Sequence, residues 1–454
     1  MAEALPRYRL GPRSRRGLVA GWRGGQIVVV AVGLGIAVLI LRSVGASAGA
    51  FLAFGVVGVF VAFAAWPVAG RSPEQWTPVV ARYLVRRLGV GLKRRDALSG
   101  LELADVADAA SGRQIGVVVD DVAHTWTAAM RVGGSGFALG DEVERSRRIA
   151  AWSGVLASSA REGGALHRLQ WVVRCLPGGL EGLCSGGLSD RGIAARSYEA
   201  LLERAAPVLW RHDVLVALSV RAEAAPGGRR SAEASRRIID EVNALERRCL
   251  AAGLDVETIL SRPELAAAIR DTATVSPGEP AGESRPFPLE IEEGWATIRT
   301  DASWHAVYWV ADWPRSSVGT GFLLPLMLEG GLRRTIAVTM APVAPLRAVR
   351  RAEHDRTSGV ADAELRRRHG FAVTARARNE HEASTRRENE LAEGHGAFRF
   401  TGYLSVSAGD EAGLEPACAR LEQIAAQSQL ELHRMYGAQQ DGYSRVLPTG
   451  RGCA

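Results

Sequence analysis

Lysine is almost absent from this chain, and its absence excludes a large class of nucleotide-binding proteins. Among 56 lysine and arginine residues, the only lysine is Lys93, in the sequence Gly91-Leu92-Lys93-Arg94. A P-loop requires Gly-x-x-x-x-Gly-Lys-Ser/Thr, because its lysine reaches the phosphates of the nucleotide. Lys93 does not fit that pattern, so the chain is not predicted to be a P-loop ATPase. A lysine that forms a Schiff base with pyridoxal phosphate is also unexpected among these arginines.

Clustered metal ligands and paired cysteines are lacking too. The five cysteines are Cys175, Cys184, Cys249, Cys418 and Cys453. They are scattered, odd in number and without a C-x-x-C pair, so free thiols in a reducing compartment are expected rather than a disulfide framework. The nine histidines are dispersed, and His381-Glu382 lacks the second histidine of a zinc-protease helix. No metal site is predicted.

Three short motifs imitate catalytic or phosphate-binding patterns. The stretch 182–186 (Gly-Leu-Cys-Ser-Gly) imitates a nucleophile elbow, but the surrounding glycines and proline predict a loop rather than a strand-to-helix turn. The glycine-rich stretch 134–140 is predicted to form a turn that precedes a helix. Asp120-Asp121 fits a turn better than an acid–base pair, because adjacent strand residues point to opposite faces. No catalytic or cofactor-binding residue is therefore predicted, and the chain is not expected to be an enzyme.

Charge is distributed unevenly along the 454 residues. Residues 1–95 hold 14 basic and two acidic residues, which leaves 42 basic and 47 acidic residues for the rest. A nucleic-acid-binding domain concentrates positive charge on its folded surface. Here the excess of basic residues lies beside the most apolar segment of the chain instead, which favours the interpretation that this segment is in a membrane. The overall composition, 47% hydrophobic and 23% charged, is that of a folded protein, and the length of 454 residues predicts two to four structural units.

Two long uncharged runs predict a transmembrane hairpin at 24–70, with spans at about 24–42 and 49–68. A helix of about 20 apolar residues crosses the hydrocarbon core of a bilayer. Tryptophan and arginine near the ends of the runs are predicted to be membrane-interface anchors, because indole rings favour the headgroup region. These anchors are Trp22, Arg23, Trp66, Arg71 and Trp76.

Basic residues flank both runs and predict the orientation of the hairpin. The topology-setting residues are Arg13, Arg15 and Arg16 before it, and Arg82, Arg86, Arg87, Lys93, Arg94 and Arg95 after it. By the positive-inside rule, both termini are expected in the cytoplasm and the protein in the inner membrane. Two alternatives remain. Ser14-Arg15-Arg16 with Ala46-Ser47-Ala48 imitates a twin-arginine export signal and its cleavage site, and the two runs also suit a buried helical hairpin of a soluble protein.

The remaining chain alternates strand-like and helix-like patterns, which predicts an α+β fold, and the order of the patterns suggests two similar split β-α-β units. A helix is predicted at 231–252 from the apolar residues Ile238, Val242, Leu245 and Cys249, and Asp141 is predicted to be the N-cap of another helix. Four prolines within 274–290 predict a linker between the units. The predicted parts are a basic N-terminus (1–23), the hairpin (24–70), a basic juxtamembrane segment (71–95), α+β unit 1 (96–273), the linker (274–290), α+β unit 2 (291–447) and a tail (448–454).

Residues 345–395, within unit 2, form a highly charged stretch that is predicted to be helical. Acidic residues precede arginines by four positions, the favourable order for pairing on a helix. These pairs are Asp362/Arg366, Glu364/Arg368 and Glu382/Arg386. The stretch fits either a solvated helical hairpin or a projecting arm that grips a partner.

Several stretches resemble a known family. Tyr8-Arg9-Leu10-Gly11-Pro12, Arg15-Arg16-Gly17-Leu18, Gly24-Gly25-Gln26 and the predicted hairpin resemble the PrgI-like membrane proteins of actinobacterial conjugation loci, named after the small two-helix subunit of type IV secretion systems. The stretches 125–137, Trp152, 168–171, 435–437 and 447–448 look like the N-terminal region of the large secretion ATPase. No ATPase domain is expected, in keeping with the missing Walker lysine.

The resemblance implies a membrane-anchored scaffold of a conjugation-like secretion machine that docks a separate ATPase. Its expected partners are the lipid bilayer, that ATPase and other membrane subunits, with a homo-oligomer possible and no cofactor. A nucleic-acid-handling protein of the same machine is the first alternative, against which the acidic balance of residues 96–454 counts. An exported hydrolase behind a twin-arginine signal is the second.

Overall fold

The computed structural model of the chain combines helices and strands around one large antiparallel sheet. It describes residues 8, 24–43, 46–65, 73–88, 97–133, 139–160, 164–178, 197, 200–201, 204, 209–222, 229–275, 286–301, 303–368 and 375–453. These residues form two compact units. One comprises 13–95 with 436–438, and the other comprises the rest of the chain, including the sheet.

The strands are β1 (Leu101–Asp108), β2 (Arg113–Asp120), β3 (Thr125–Val132), β4 (Leu166–Pro177), β5 (Trp210–Arg221), β6 (Val256–Ile259), β7 (Ile291–Glu293), β8 (Ile298–Thr300), β9 (Ser303–Asp312), β10 (Arg334–Val343), β11 (Ala397–Ala408) and β12 (Glu431–Arg434). The helices are α1 (Gly24–Ser43), α2 (Ala46–Ala65), α3 (Pro73–Leu88), α4 (Glu142–Ser159), α5 (Arg229–Ala251), α6 (Arg262–Ala273), α7 (Leu324–Leu328), α8 (Pro345–Arg368), α9 (Ala375–Ala392), α10 (Glu411–Gln427) and α11 (Gln439–Val446).

The sheet is built from two halves with the same strand order. Its path is β1-β2-β3-β5-β4-β10-β11-β9-β8-β7, so the order in the second half mirrors that in the first. The short strands match as well, since β6 pairs with β3 and β12 pairs with β9. In each half a helix, a short strand and a second helix follow the last long strand. The alternation predicted from the sequence therefore belongs to one continuous sheet.

Strands β4 and β10 join the halves. They pair antiparallel from Leu169↔Met340 to Arg334↔Cys175. The two hydrophobic clusters interlock at this seam, because Val173 of β4 packs in the cluster of the second half, and Met340 of β10 packs against that of the first. The halves thus share side chains as well as backbone hydrogen bonds.

Amphipathic helices cover the sheet. The predicted helix at 231–252 is confirmed as α5, and its apolar positions Ile238, Val242, Leu245 and Cys249 are all buried against the sheet. Their spacings of 4, 3 and 4 place them on one face of a helix. Asp141, the predicted N-cap, accepts a hydrogen bond from the Glu144 backbone N–H at 2.8 Å and opens α4.

The predicted transmembrane hairpin is wrong. Within the described part of the chain, no helix combines the length and the apolar character needed to cross a bilayer. In α1 the strongly apolar part is limited to 27–41, because glycines and Gln26 precede it and Arg42 follows it. At 1.5 Å per residue that part covers about 22 Å, less than the roughly 30 Å hydrocarbon core.

The location predicted from that hairpin is wrong for the same reason. A two-span protein of the inner membrane with both termini in the cytoplasm requires two spanning helices, and the described residues supply none. Helices α1 and α2 instead pack closely on each other at Gly33, where a Cβ would lie 2.7 Å from the Phe60 Cβ. The α+β part of the predicted fold class stands without its membrane component, as mixed helices and strands around the sheet.

Candidate partner-binding arm

Two helices project from the turn between neighbouring strands. The last register pair of β10 and β11 is Val343↔Ala397, and α8 and α9 are inserted between these two residues. We call residues 345–392 the arm. Neither of the two hydrophobic clusters under the sheet includes a described residue of the arm. The sheet therefore does not depend on the arm for its core.

Ion pairs hold the arm together. Arg356 Nη1 donates to both carboxylate oxygens of Glu388 at 2.9 Å, which ties α8 to α9. The predicted pair Glu364/Arg368 is confirmed, with Nε 3.1 Å from Oε1. For Asp362/Arg366 the side chains lie outside the described residues, and Glu382/Arg386 stays a prediction. Exposed pairs of this kind contribute about 0.2–1 kcal/mol each, so they align the helices more than they stabilise the fold.

One face of α8 is exposed and partly apolar. Leu346, Val349 and Val360 are 56%, 40% and 52% exposed, and Arg350 and Glu353 are exposed beside them. These positions follow each other by three, one, three and seven residues, which aligns them along one side of a helix. We call these five residues the arm face.

The arm face lies opposite the packed side of α8 and is flanked by positive charge. Ala348 and Ala352 are buried on the other side of the helix. Arg347 and Arg351 are exposed next to the apolar pair at the base of the arm. Only Glu353 offsets these charges between 345 and 353. The base of the arm is therefore a basic surface with large apolar side chains at its centre.

A hydroxyl–imidazole–hydroxyl arrangement lies away from the arm. The His305 ring nitrogens are 2.6 Å from Thr300 Oγ1 and 2.8 Å from Ser407 Oγ. His305 is fully buried, and burial together with the charge of Arg333 lowers its pKa to about 3. A base must reach its substrate, and His305 is instead enclosed where it joins β8, β9 and β11; Thr300 is buried with it and Ser407 is partly buried.

Few of the predicted membrane residues lie in the described part of the chain. Trp76, Arg82 and Arg87 lie on α3, together with the backbone of Arg86. The remaining predicted anchors and topology-setting residues lie outside the described residues, and these are Trp22, Arg23, Trp66, Arg71, Arg13, Arg15, Arg16, Lys93, Arg94 and Arg95. The roles predicted for all of these residues depended on the transmembrane hairpin, which the structure contradicts.

The short motifs have structural explanations where they are described. Asp120 closes the β2–β3 turn, accepting hydrogen bonds from the backbone N–H groups of Val122 and Ala123 at 3.0 and 2.8 Å. The motif at 182–186, most of that at 134–140 and the side chain of His381 lie outside the described residues. Over the residues described, no group of three or more metal-ligating side chains is found.

The sequence prediction missed the arm face. Its signal is faint: large apolar residues at positions 346, 349 and 360, spread through a highly charged stretch. Helical spacing predicts that they share one side, but only the three-dimensional fold shows that this side faces away from the packed alanines. The prediction of a projecting arm was one of the two interpretations that the stretch allowed.

No protein-family model matches the chain, and no curated protein matches it significantly.

Proposed function

We propose that the chain is a structural scaffold that docks a separate protein through the arm face. The observation that carries this proposal is the exposed apolar side of α8, on an insertion that the core of the sheet does not use. Ordering an arm that adds no described residue to the two hydrophobic clusters costs conformational entropy that the core of the sheet does not offset. Exposed apolar side chains gathered on one helix face are typical of surfaces that bind another protein.

The chemistry of the arm face selects the kind of partner. Leu346 and Val349 supply apolar contact, and Arg347, Arg350 and Arg351 surround them with positive charge. A partner of complementary character presents a mixed apolar and acidic surface, since opposite potentials favour association and orient it. A nucleic acid would satisfy the arginines and leave Leu346, Val349 and Val360 in contact with water. The apolar residues therefore favour a protein.

The resemblance of the chain to secretion components supplies the partner to test first, a large secretion ATPase from the same cell. The scaffold would hold that ATPase and perform no nucleotide chemistry itself. The absence of a P-loop lysine from the 454 residues is in keeping with this division of labour.

The test compares two full-length variants in a titration against the purified ATPase. Leu346→Asp/Val349→Asp places two carboxylates on the arm face, and Val122→Asp is the matched control, because Val122 is also exposed but lies in the β2–β3 turn. We expect the double variant to weaken binding at least tenfold and the control to bind like wild type. Equal binding by both variants, or no binding by wild type, would refute the proposal. Salt-sensitive binding to DNA that Leu346→Asp/Val349→Asp also abolishes would favour nucleic-acid handling instead.

A further inference from the structure

Segment 447–453 runs across the middle of the sheet without forming a helix or a strand. Its residues contact β3 and β4 of the first half and β10 and β11 of the second. It therefore crosses the β4–β10 seam. Peptide groups in the interior of a protein require hydrogen-bond partners, and a segment outside the sheet ladder must find them elsewhere.

A row of polar side chains on the sheet supplies these partners. Thr127 Oγ1 donates to the Thr449 carbonyl at 3.1 Å, and Gln170 Oε1 accepts from the Gly450 N–H at 2.8 Å. On the other side of the seam, Thr339 Oγ1 donates to the Arg451 carbonyl at 2.8 Å.

The row continues on β11, where the Tyr403 hydroxyl donates to the Gly452 carbonyl at 3.4 Å. The side chains of Thr127, Gln170 and Thr339 are buried beneath the segment. Four successive residues of the segment are thus held through their backbones.

Two glycines are required by this close approach. Gly450 has a φ of +67°, and a Cβ there would collide with the Ser219 hydroxyl and lie 3.0 Å from Thr127 Oγ1. Gly452 has a φ of +149°, and its Cβ would lie 2.7 Å from the Thr339 Cβ. Only glycine adopts such backbone angles without strain and fits such a space.

The residue between the glycines is recognised by its charge. Arg451 Nε donates to Asp120 Oδ2 at 2.6 Å, and its Nη1 donates to the Ala97 carbonyl. Asp120 is buried at the end of β2. Burial raises the pKa of Asp120, but hydrogen bonds from Arg451 and from backbone N–H groups outweigh it and hold the carboxyl below its usual pKa. The negative charge of the Asp120 carboxylate therefore favours arginine at position 451.

We propose that the row of Asp120, Thr127, Gln170, Thr339 and Tyr403 is a peptide-binding track, and that segment 447–453 is a ligand bound to it in cis. The ligand class is a peptide with glycine at two alternate positions and arginine between them. Side chains on four strands bind the backbone of the peptide. The space at the two glycine positions excludes a side chain, and Asp120 selects one positive charge. A free peptide of this pattern competes for the track whenever the segment is released.

The first test uses the wild-type chain and follows cysteine modification in increasing urea, with mass spectrometry to resolve each site. Cys453 lies at the end of the segment, where its thiol donates to the Thr339 carbonyl at 3.0 Å, and Cys175, Cys249 and Cys418 are buried elsewhere. If the segment is a releasable ligand, Cys453 is modified at urea concentrations that leave the other three protected. Simultaneous modification of all four would overturn the proposal.

The second test measures binding in trans by fluorescence anisotropy of a labelled peptide with the sequence of residues 447–453. Wild type should not bind at micromolar peptide, because a tethered segment competes at an effective concentration near millimolar. The full-length Gly450→Ala/Gly452→Ala variant should release its own segment and bind the peptide. Gly409→Ala is the control, since a Cβ at Gly409 meets nothing within 4 Å.

Asp120→Asn in the double-variant background removes the charge but retains a turn-forming side chain. It should weaken binding about tenfold, the change expected for loss of one charge-assisted hydrogen bond. A double variant that keeps the near-ultraviolet circular dichroism of wild type and fails to bind the peptide would refute the proposal. If that variant does not fold, cysteine modification of wild type decides the question.

Discussion

At the scale of single residues, hydrogen bonds fix the tautomer of His305. The Thr300 hydroxyl donates its proton to the Ala273 carbonyl at 2.9 Å, so Thr300 Oγ1 must accept from His305 Nε2–H. Nδ1 is then unprotonated and accepts from the Ser407 hydroxyl. The neutral ring satisfies all these groups at once. Protonation would place a charge in a fully buried site.

Acid should therefore destabilise the protein through His305. The pKa of His305 is about 3 in the folded chain and about 6.5 when unfolded, so the unfolded chain binds the extra proton first. The stabilisation by neutral His305 is complete above pH 6.5 and is lost as the pH falls towards 3. Between pH 6.5 and 4.5, the free energy of unfolding measured in urea should fall by about 2 kcal/mol more for wild type than for His305→Gln. His354→Gln, at an exposed histidine, serves as the control and should follow wild type. Parallel pH profiles for wild type and His305→Gln would contradict this assignment.

At the scale of elements, α6 is capped at its N-terminus by its own residues and held at its C-terminus by arginines from both halves of the sheet. At its N-terminus Ser261 and Glu264 form a capping box. At its C-terminus Arg174 of β4 donates to the Ala268 carbonyl, and Arg333 donates to those of Asp271 and Thr274. Arginines at the C-terminal end of a helix interact favourably with its dipole. Because Arg333 belongs to the second half, α6 joins the two halves.

The approach of α6 to β2 requires a glycine. A Cβ at Gly116 would lie 2.5 Å from the Arg262 N and 2.6 Å from the Ser261 carbonyl carbon, both backbone atoms. Gly116→Ala should therefore push the start of α6 away and lower the free energy of unfolding by about 1–3 kcal/mol. Urea denaturation measures this change. Gly409→Ala, where the added methyl group meets no neighbour, should stay within about 0.5 kcal/mol of wild type. Equal stabilities of the two variants would show that α6 does not press on β2.

Local signals in the sequence predicted several elements and missed others for identifiable reasons. The N-cap at Asp141 and the periodicity of α5 depend on neighbouring residues alone, and both predictions are confirmed. Strand β1 was missed because its burial is irregular along the edge of the sheet, so its sequence does not alternate. The apolar character of α1 and α2 was read as membrane-spanning. Composition shows that a helix is apolar, and it does not show what covers that helix.

At the scale of the whole molecule, the seam between β4 and β10 lay beyond prediction from the sequence. The alternation of strand-like and helix-like patterns predicted two similar α+β regions, because the signal for each strand or helix comes from residues that are close in sequence. The pairing of Leu169 with Met340 joins residues far apart along the chain, and no local signal specifies it. The peptide-binding track was missed for the same reason. Thr127, Gln170 and Thr339 are unremarkable in sequence and form a row only when the seam aligns their strands.

The shared seam predicts that the two halves of the sheet unfold together. Val173 of the first half is buried in the cluster of the second, so Val173→Ala should lower the opening free energy of both halves by about 1 kcal/mol. Hydrogen exchange of the Met130 amide in β3 and the Tyr308 amide in β9 measures each half separately. Val122→Ala, at an exposed turn position, should change neither. A lower opening free energy at the Tyr308 amide alone would mean that the halves open independently. In one cooperative sheet, the cavity at Val173 destabilises both halves and therefore affects both amides.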